Sequence, residues 1–321
     1  MDTFETLGKA GALQKLYEGT PFRPCINPWF ENNGAHSISC SRLLLEGMDF
    51  DLSFVPFKHL GYKAVVLATG ELFSCMAEPR TLSLNIGVSA KLDYKEVAQL
   101  WEGVILGAKQ FGYKEVALDL GASLTGLAIA VNASGSSSKE MAAGRPIAKS
   151  MDLICVSGNP GASFLGEQIL HKGKDMVEKD RDEMLEKYKQ LIGAYLKPEL
   201  SPYVLQAFND SGIIPSFGYF CRESLSNTIK TLCRESGLGA KIYVDKLPFA
   251  SGSIDAADFL KLDPVQAALK GGEDNFLLFT IPIGSHEKFR RDFQAWDVIG
   301  HLARPEVGTT LVSPDGLEHS F

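Results

Sequence analysis

A strong amphipathic helix set between two strand-like runs does most to limit what this chain can fold into. Across residues 94–112 the apolar side chains Val97, Leu100, Trp101, Val104, Ala108 and Phe111 recur at helical spacing, with Asp93 at the N-cap position. The run Leu82–Gly87 precedes this helix and Leu127–Asn132 follows it. Strand, helix and strand in that order call for a layered α/β arrangement, in which one helix face is buried on a sheet. At 321 residues the chain is long enough for two domains of ordinary size.

Further along, the same reasoning adds elements. A short helix is expected over residues 4–17, with Leu7, Leu13 and Leu16 apolar, and a strand over Ala64–Ala68, just after a KHLGYK helix that carries His59. SGSSSKEMAAG, residues 134–144, reads as a Ser- and Gly-rich loop. The expected division therefore falls there, into 1–138 and 139–321. MDLICVSG is then a buried strand entering a glycine-rich turn. A charged helix is expected over Lys172–Tyr195, with Glu183 and Lys187 as an i,i+4 pair, and another over Glu223–Ser236. Strands at Lys241–Val244 and Phe276–Ile281 complete a second α/β half.

Charge and cysteine usage narrow the function classes. A net charge of −7 argues against a nonspecific nucleic-acid binder, which needs a basic excess to displace counterions from phosphates. The cysteines at 25, 40, 75, 155, 221 and 233 form no C-x-x-C pair, and the six histidines show no zinc spacing. They read as thiols in a reducing compartment. MDTFETLGKAG lacks the basic and apolar regions of a signal peptide, and no apolar run reaches membrane-spanning length. The expectation is a cytoplasmic protein with no membrane partner.

Two glycine-containing turns are candidate sites. Gly158-Asn159-Pro160-Gly161-Ala162 joins a strand to a helix, where backbone N–H groups can hold an anion; glycine geometry alone explains the turn as well. Gly271-Gly272-Glu273-Asp274 enters the strand at 276 and reads equally as a turn or as a contact site.

Long stretches of the chain resemble the thiamine-monophosphate kinase family of the AIR-synthase-like superfamily. The segment LLLEGMDFDLSFVPFKHLGYKAVVLATGELFSCMAEPRTLSLNIG, residues 43–87, carries the resemblance furthest. TLGKAGALQKL, GLGAKIYVDKLPF, GGEDNFLLFTIP and IGHLARPEVGTTLVSPDG are similar too. The resemblance implies a two-domain α/β (α+β) fold, with an N-terminal sheet that forms a barrel in a homodimer and a C-terminal α/β sandwich. It also implies ATP and magnesium as cofactors, and thiamine monophosphate or a nucleotide as the small phosphorylated ligand.

Family chemistry rests on carboxylates, because magnesium on ATP takes hard oxygen ligands and phosphoryl transfer relies on metal charge and positioning. Here the acidic positions are altered. The Gly-Asp-Asp-Ala-Ala loop falls on Glu31-Asn32-Asn33-Gly34-Ala35, and the Thr-Asp motif on Ser41-Arg42. The substrate-contacting His is Asp49; Asn-x-Ser-Asp is Ala68-Thr69-Gly70-Glu71; Gly-Gly-Asp is Ala117-Leu118-Asp119. Asp-x-Ser-Asp-Gly falls on Phe220-Cys221-Arg222-Glu223-Ser224, and Glu273 matches a family substrate contact.

By this resemblance Glu71, Asp119 and Glu223 are the candidate metal carboxylates. Arg42, Asp119, Arg145, Arg222, Gly158 and Gly161 are candidate phosphate or nucleotide contacts, and Asp49 and Glu273 candidate substrate contacts. Arginine at two ligand positions repels a metal and favours direct phosphate binding. The expectation is a catalytically impaired paralogue, a pseudoenzyme that binds a phosphorylated molecule. An active ATP-dependent phosphotransferase and a purely structural dimerisation partner are the alternatives.

Overall fold

The computed structural model describes residues 4–21 and 27–321, and Cys25 lies outside them. In the first half, helix α1 (Phe4–Tyr17) leads to strands β1 (Trp29–Asn32) and β2 (Ala35–Leu45), helix α2 (Phe57–Ser74), strand β3 (Ala77–Ser89), helix α3 (Tyr94–Gln110), and strands β4 (Glu115–Ser123) and β5 (Ala128–Ser137). These strands form one sheet in the order β1-β2-β5-β3-β4, with only the β3–β4 pair parallel. Asn33 and Gly34 both take positive φ, the two-residue turn geometry that matches hairpin twist between β1 and β2.

The second half runs through α4 (Lys139–Ala143), β6 (Leu153–Val156), α5 (Ala162–Gly173), α6 (Glu178–Lys187), α7 (Lys189–Leu196), α8 (Val204–Ser211), β7 (Phe217–Cys221), α9 (Leu225–Ser236) and β8 (Gly239–Tyr243). It continues through α10 (Ser253–Leu260), α11 (Pro264–Lys270), β9 (Phe276–Ile281), α12 (His286–Asp292), β10 (Asp297–Ala303), β11 (Thr309–Val312) and β12 (Glu318–Ser320). The sheet order is β12-β11-β8-β10-β6-β9-β7. No described helix is long and apolar enough to cross a membrane.

Helix α2 is the centre of the molecule. Every residue from Leu60 to Ser74 is buried, because β2, β3 and β5 lie on one side and β7 and β9 on the other. Each fully buried Leu, Val or Phe on it contributes about 1.5–3 kcal/mol. The α2–α3 crossing is very close: a β-carbon on Gly61 would strike the Leu100 carbonyl, and one on Gly103 would strike that of Lys58. Gly70 leaves room for the Phe220 ring from the other half. One apolar core therefore runs from the first sheet through α2 to Leu165, Tyr195 and Phe279.

Four local expectations are corrected. Ala64–Ala68 is the middle of α2 and not a strand; a helix buried all round shows no amphipathic period, and its β-branched run imitates a strand. Residues 134–137 extend β5 and residues 139–143 form α4, where a single loop was expected. The region 172–195 is divided among the end of α5, α6 and α7. Lys187 pairs with Asp255, 2.8 Å away on α10, and not with Glu183. The helix after Asp93 forms as read, with a capping box in which Asp93 accepts from the Glu96 N–H and Glu96 from the Asp93 N–H.

Candidate functional site

Arg42 lies on β2, in register with Val131 of β5 and on the face turned toward α2. Glu71 descends from α2 onto it, and the two side chains form an ion pair at 12% and 9% exposure. The second Glu71 oxygen accepts from the Asn27 side-chain amide at 2.9 Å. Arg42 also donates to the Ser41 carbonyl at 2.7 Å. Arg42 and Glu71 are both expected as ligand positions from the resemblance, and here they pair with each other. The buried thiol of Cys40 sits beside them; burial and then the Glu71 charge push it up to about 12.

The second arginine repeats the arrangement. Arg222, just past β7, donates to Asp49 at 2.8 Å across the seam between the halves. The other Asp49 oxygen accepts from the Leu45 N–H at 2.8 Å, which fixes the carboxylate. So Arg42 and Arg222 are each engaged by a carboxylate of the chain itself, and neither stands as an open phosphate clamp. Asp49, expected as a substrate contact, is the partner of Arg222.

The three expected metal carboxylates do not meet. Asp119 on β4 pairs in register with Asn85, Asn85 with Ala130, and Ala130 with Leu43, which places it on the outer sheet face. Arg42 and Glu71 are on the opposite face of that sheet. Glu223 is exposed at the start of α9. Among the described residues no group of three or more His, Cys, Asp or Glu side chains is placed to hold a metal ion. The donors present therefore do not fit magnesium, because Glu71 already neutralises a guanidinium in the same space.

The glycine turn is occupied as well. Gly161 opens α5 at φ 83, and its N–H donates to both oxygens of Asp274 at 2.9 Å. Asp274 is partly buried, and desolvation there drives its carboxyl well above the ordinary value against the pull of the Gly161 and Ser163 N–H groups. The helix start does hold an acceptor, but an internal one, the Asp274 carboxyl supplied by the GGED turn. Gly158 packs closely under Phe276. Glu273 adopts φ 57 and lies 2.8 Å from Lys63 of α2. Arg145 is exposed after α4, near enough to Cys75 to favour its thiolate against the larger effect of burial.

Residue spacing did not identify Lys63, Glu167 and Tyr195 around Glu273, nor the Asp51–Lys174 pair beside Phe54. The one available signal was a lysine inside the apolar run LGYKAVVLA, since a charge there demands a partner. The described cysteines (Cys40, Cys75, Cys155, Cys221 and Cys233) are free thiols.

Comparison with known proteins gives a consistent picture. No protein-family model matches the chain. It is 27% identical to thiamine-monophosphate kinase of Pyrococcus horikoshii over 266 residues, covering 83% of this chain and 78% of that protein. Against the Escherichia coli enzyme it is 29% identical over 270 residues, 80% and 74% of the two chains. In fold it matches the thiamine monophosphate kinase of Aquifex aeolicus with a TM-score of 0.83 at 21% identity, over 100% of both chains. A structure of AaThiL complexed with AMPPCP and TMP matches at 0.81 and 21% identity, over 99% of this chain and 96% of that one. The hydrogenase maturation protein HypE of Escherichia coli shares the fold more distantly, at 0.68 and 14% identity over 89% and 85%.

Proposed function

We infer that this chain, a relative of the thiamine-monophosphate kinases with the AIR-synthase-like fold, binds a phosphorylated small molecule without magnesium and does not transfer phosphate. One observation carries this reading: each arginine at a family ligand position is paired with an acid at another altered position. An Arg–carboxylate pair has no net charge, so a divalent cation entering it gains little and must displace a guanidinium. Arg222, which meets Asp49 through one terminal nitrogen at 19% exposure, has further N–H groups of the kind that suit phosphate oxygens. Arg145, which no described carboxylate pairs, adds an exposed cation to the candidate anion site. AMPPCP and TMP, bound by a protein of the same fold, make a nucleotide or thiamine monophosphate the first ligands to try. The division at 138/139 is retained as part of this reading, with ligand held between the two parts.

A homodimer belongs to the same proposal. The outer face of the first sheet exposes Ser39, Ser41, Leu43, Asn85 and Asp119, with no described element over it. A second copy would bring Asp119 from outside the chain's own arginine pairs.

Calorimetric titration of the full chain with thiamine monophosphate and with AMPPCP, with and without magnesium, tests the reading beside an ATP turnover assay. The expected result is binding that magnesium does not strengthen, and no thiamine diphosphate formed. Turnover at about 1 s⁻¹ or faster, ordinary for a kinase, overturns it in favour of an active phosphotransferase. A stable dimer that binds neither ligand overturns it in favour of a structural partner. The variant carrying Arg42→Asp and Arg222→Ser should regain magnesium-dependent affinity.

A further inference from the structure

A cavity of about 240 Å³ opens where the two halves meet, and none of its lining residues belongs to the candidate site. Phe73, near the end of α2, and Phe111, just after α3, line it and are buried, so they form its floor. Their rings meet edge to face at 6.1 Å. The second half supplies a wall through Pro202 and Leu205, at the start of α8. The volume suits a molecule of one ring: roughly 150 Å³ of apolar cavity holds benzene, and drug-sized ligands need about 300 Å³ or more.

The mouth is cationic, and the backbone makes it so. On β3, Pro79 faces Gly135 and Thr81 faces Ser134, neighbouring positions of β5, so Arg80 is the extra residue of a bulge. A bulge re-aims the side chain it carries, and here Arg80 and Thr81 are exposed in succession where a regular strand alternates. The Arg80 carbonyl accepts from the Lys114 N–H at 2.9 Å, which holds the two cationic residues side by side. Lys114 is fixed from its other side by Tyr113, whose N–H donates to the Ala108 carbonyl at 3.0 Å and whose hydroxyl meets that of Thr69 at 3.1 Å.

These cations keep free donors. Arg80 directs one terminal nitrogen to Glu78 at 3.1 Å and Nε to the Ser136 hydroxyl at 3.5 Å, and its side chain stays half exposed. No described carboxylate pairs with the exposed Lys114. Two cations against the single carboxylate of Glu78 leave the mouth positive, on a chain whose net charge is −7.

We propose that this cavity binds a small aromatic acid, one ring bearing a phosphate or a carboxylate, with the ring against Phe73 and Phe111 and the anion between Arg80 and Lys114. Apolar burial and edge contacts hold the ring, and charge-assisted hydrogen bonds hold the acid. The bound molecule touches both halves. Its site shares no residue with Arg42, Arg222 or their partners, so its occupancy is independent of whether those arginines hold a phosphate ester.

Amide chemical-shift titrations of the full chain with phenyl phosphate and with benzoate test this assignment. The expected result is saturable movement of the Lys114, Leu205 and Gln206 amides, with a dissociation constant of about 1 mM or tighter, the range open to ligands of this size. Inorganic phosphate and benzyl alcohol, each lacking one half of the recognition, should bind at least about tenfold more weakly. Arg80→Ala and Lys114→Ala should each weaken binding of phenyl phosphate about tenfold, and Lys114→Arg should retain it. Glu78→Gln removes an exposed competitor for Arg80 and should strengthen binding by no more than about threefold. These substitutions fall at exposed positions, so the variants should fold. The assignment is overturned by the absence of saturable shifts up to about 10 mM, or by shifts confined to the surroundings of Arg42 or Arg222. Either alanine variant binding as the unaltered chain does, or inorganic phosphate binding as well as phenyl phosphate, overturns it too.

Discussion

Arg42 and Arg222 are each paired with a carboxylate, in two different structural settings. Arg42 meets Glu71 inside the first half, between a strand and the central helix, at about a tenth exposure on each side. Arg222 meets Asp49 across the seam, at 19% and 21% exposure. The first pair is enclosed by elements that already pack rigidly together, so it belongs to the folding of that half. The second is wetter and joins loops of different halves, so it bears on how the halves sit together. Each arginine is thus neutralised by a carboxylate of the chain, and the packing around the pair decides what losing it costs.

The largest expected effect separates the two pairs. Arg42→Ala strands a buried carboxylate and should cost about 3–5 kcal/mol in urea unfolding. Arg222→Ala should cost about 1 kcal/mol, because water reaches both partners. Equal losses would break the comparison. Next comes Asp274, the acid at the start of α5. Asp274→Ala leaves the Gly161 N–H without its acceptor and should cost about 1–3 kcal/mol in the same assay.

Chemical reactivity sharpens the first pair further. Cys40, pushed up to about 12, should resist iodoacetamide at about pH 8 in the folded chain and react once the chain is unfolded in urea, as read by mass spectrometry. Early labelling of Cys40 would show that the Arg42–Glu71 region opens.

The smallest effect is expected at Asp51, held down to about 2 chiefly by hydrogen bonding to Lys174. A lowered carboxyl stabilises above its unfolded value, and that contribution disappears as pH falls toward about 2. Both partners are about a third exposed, so Lys174→Ala should cost no more than about 0.5 kcal/mol at neutral pH, measured by thermal unfolding.

Much of the fold was legible because its periodic elements are half-buried. Helix α3 has one wet face, and Asp93 and Glu96 mark its start; β3, β5 and α9 likewise show their burial in their spacing. Helix α2 failed that reading because it has no wet face between residues 60 and 74. Arg42, Glu71, Asp49 and Arg222 could each be named from the sequence. Their pairings could not, since Arg42 and Glu71 are 29 positions apart in the chain, and Arg222 and Asp49 are 173 apart.

By itself, the sequence determined the family likeness and the alternation of helices and strands. Tertiary structure alone decided which of the named residues meet. It placed Asp119 on the sheet face opposite Glu71, seated Asp274 at the helix start expected to receive an outside anion, and closed each arginine onto an acid. Periodicity records which face of an element is dry, because each residue along a strand or helix reports its own burial. The pairing of two charges depends on which dry faces are packed together, and only the folded chain sets that.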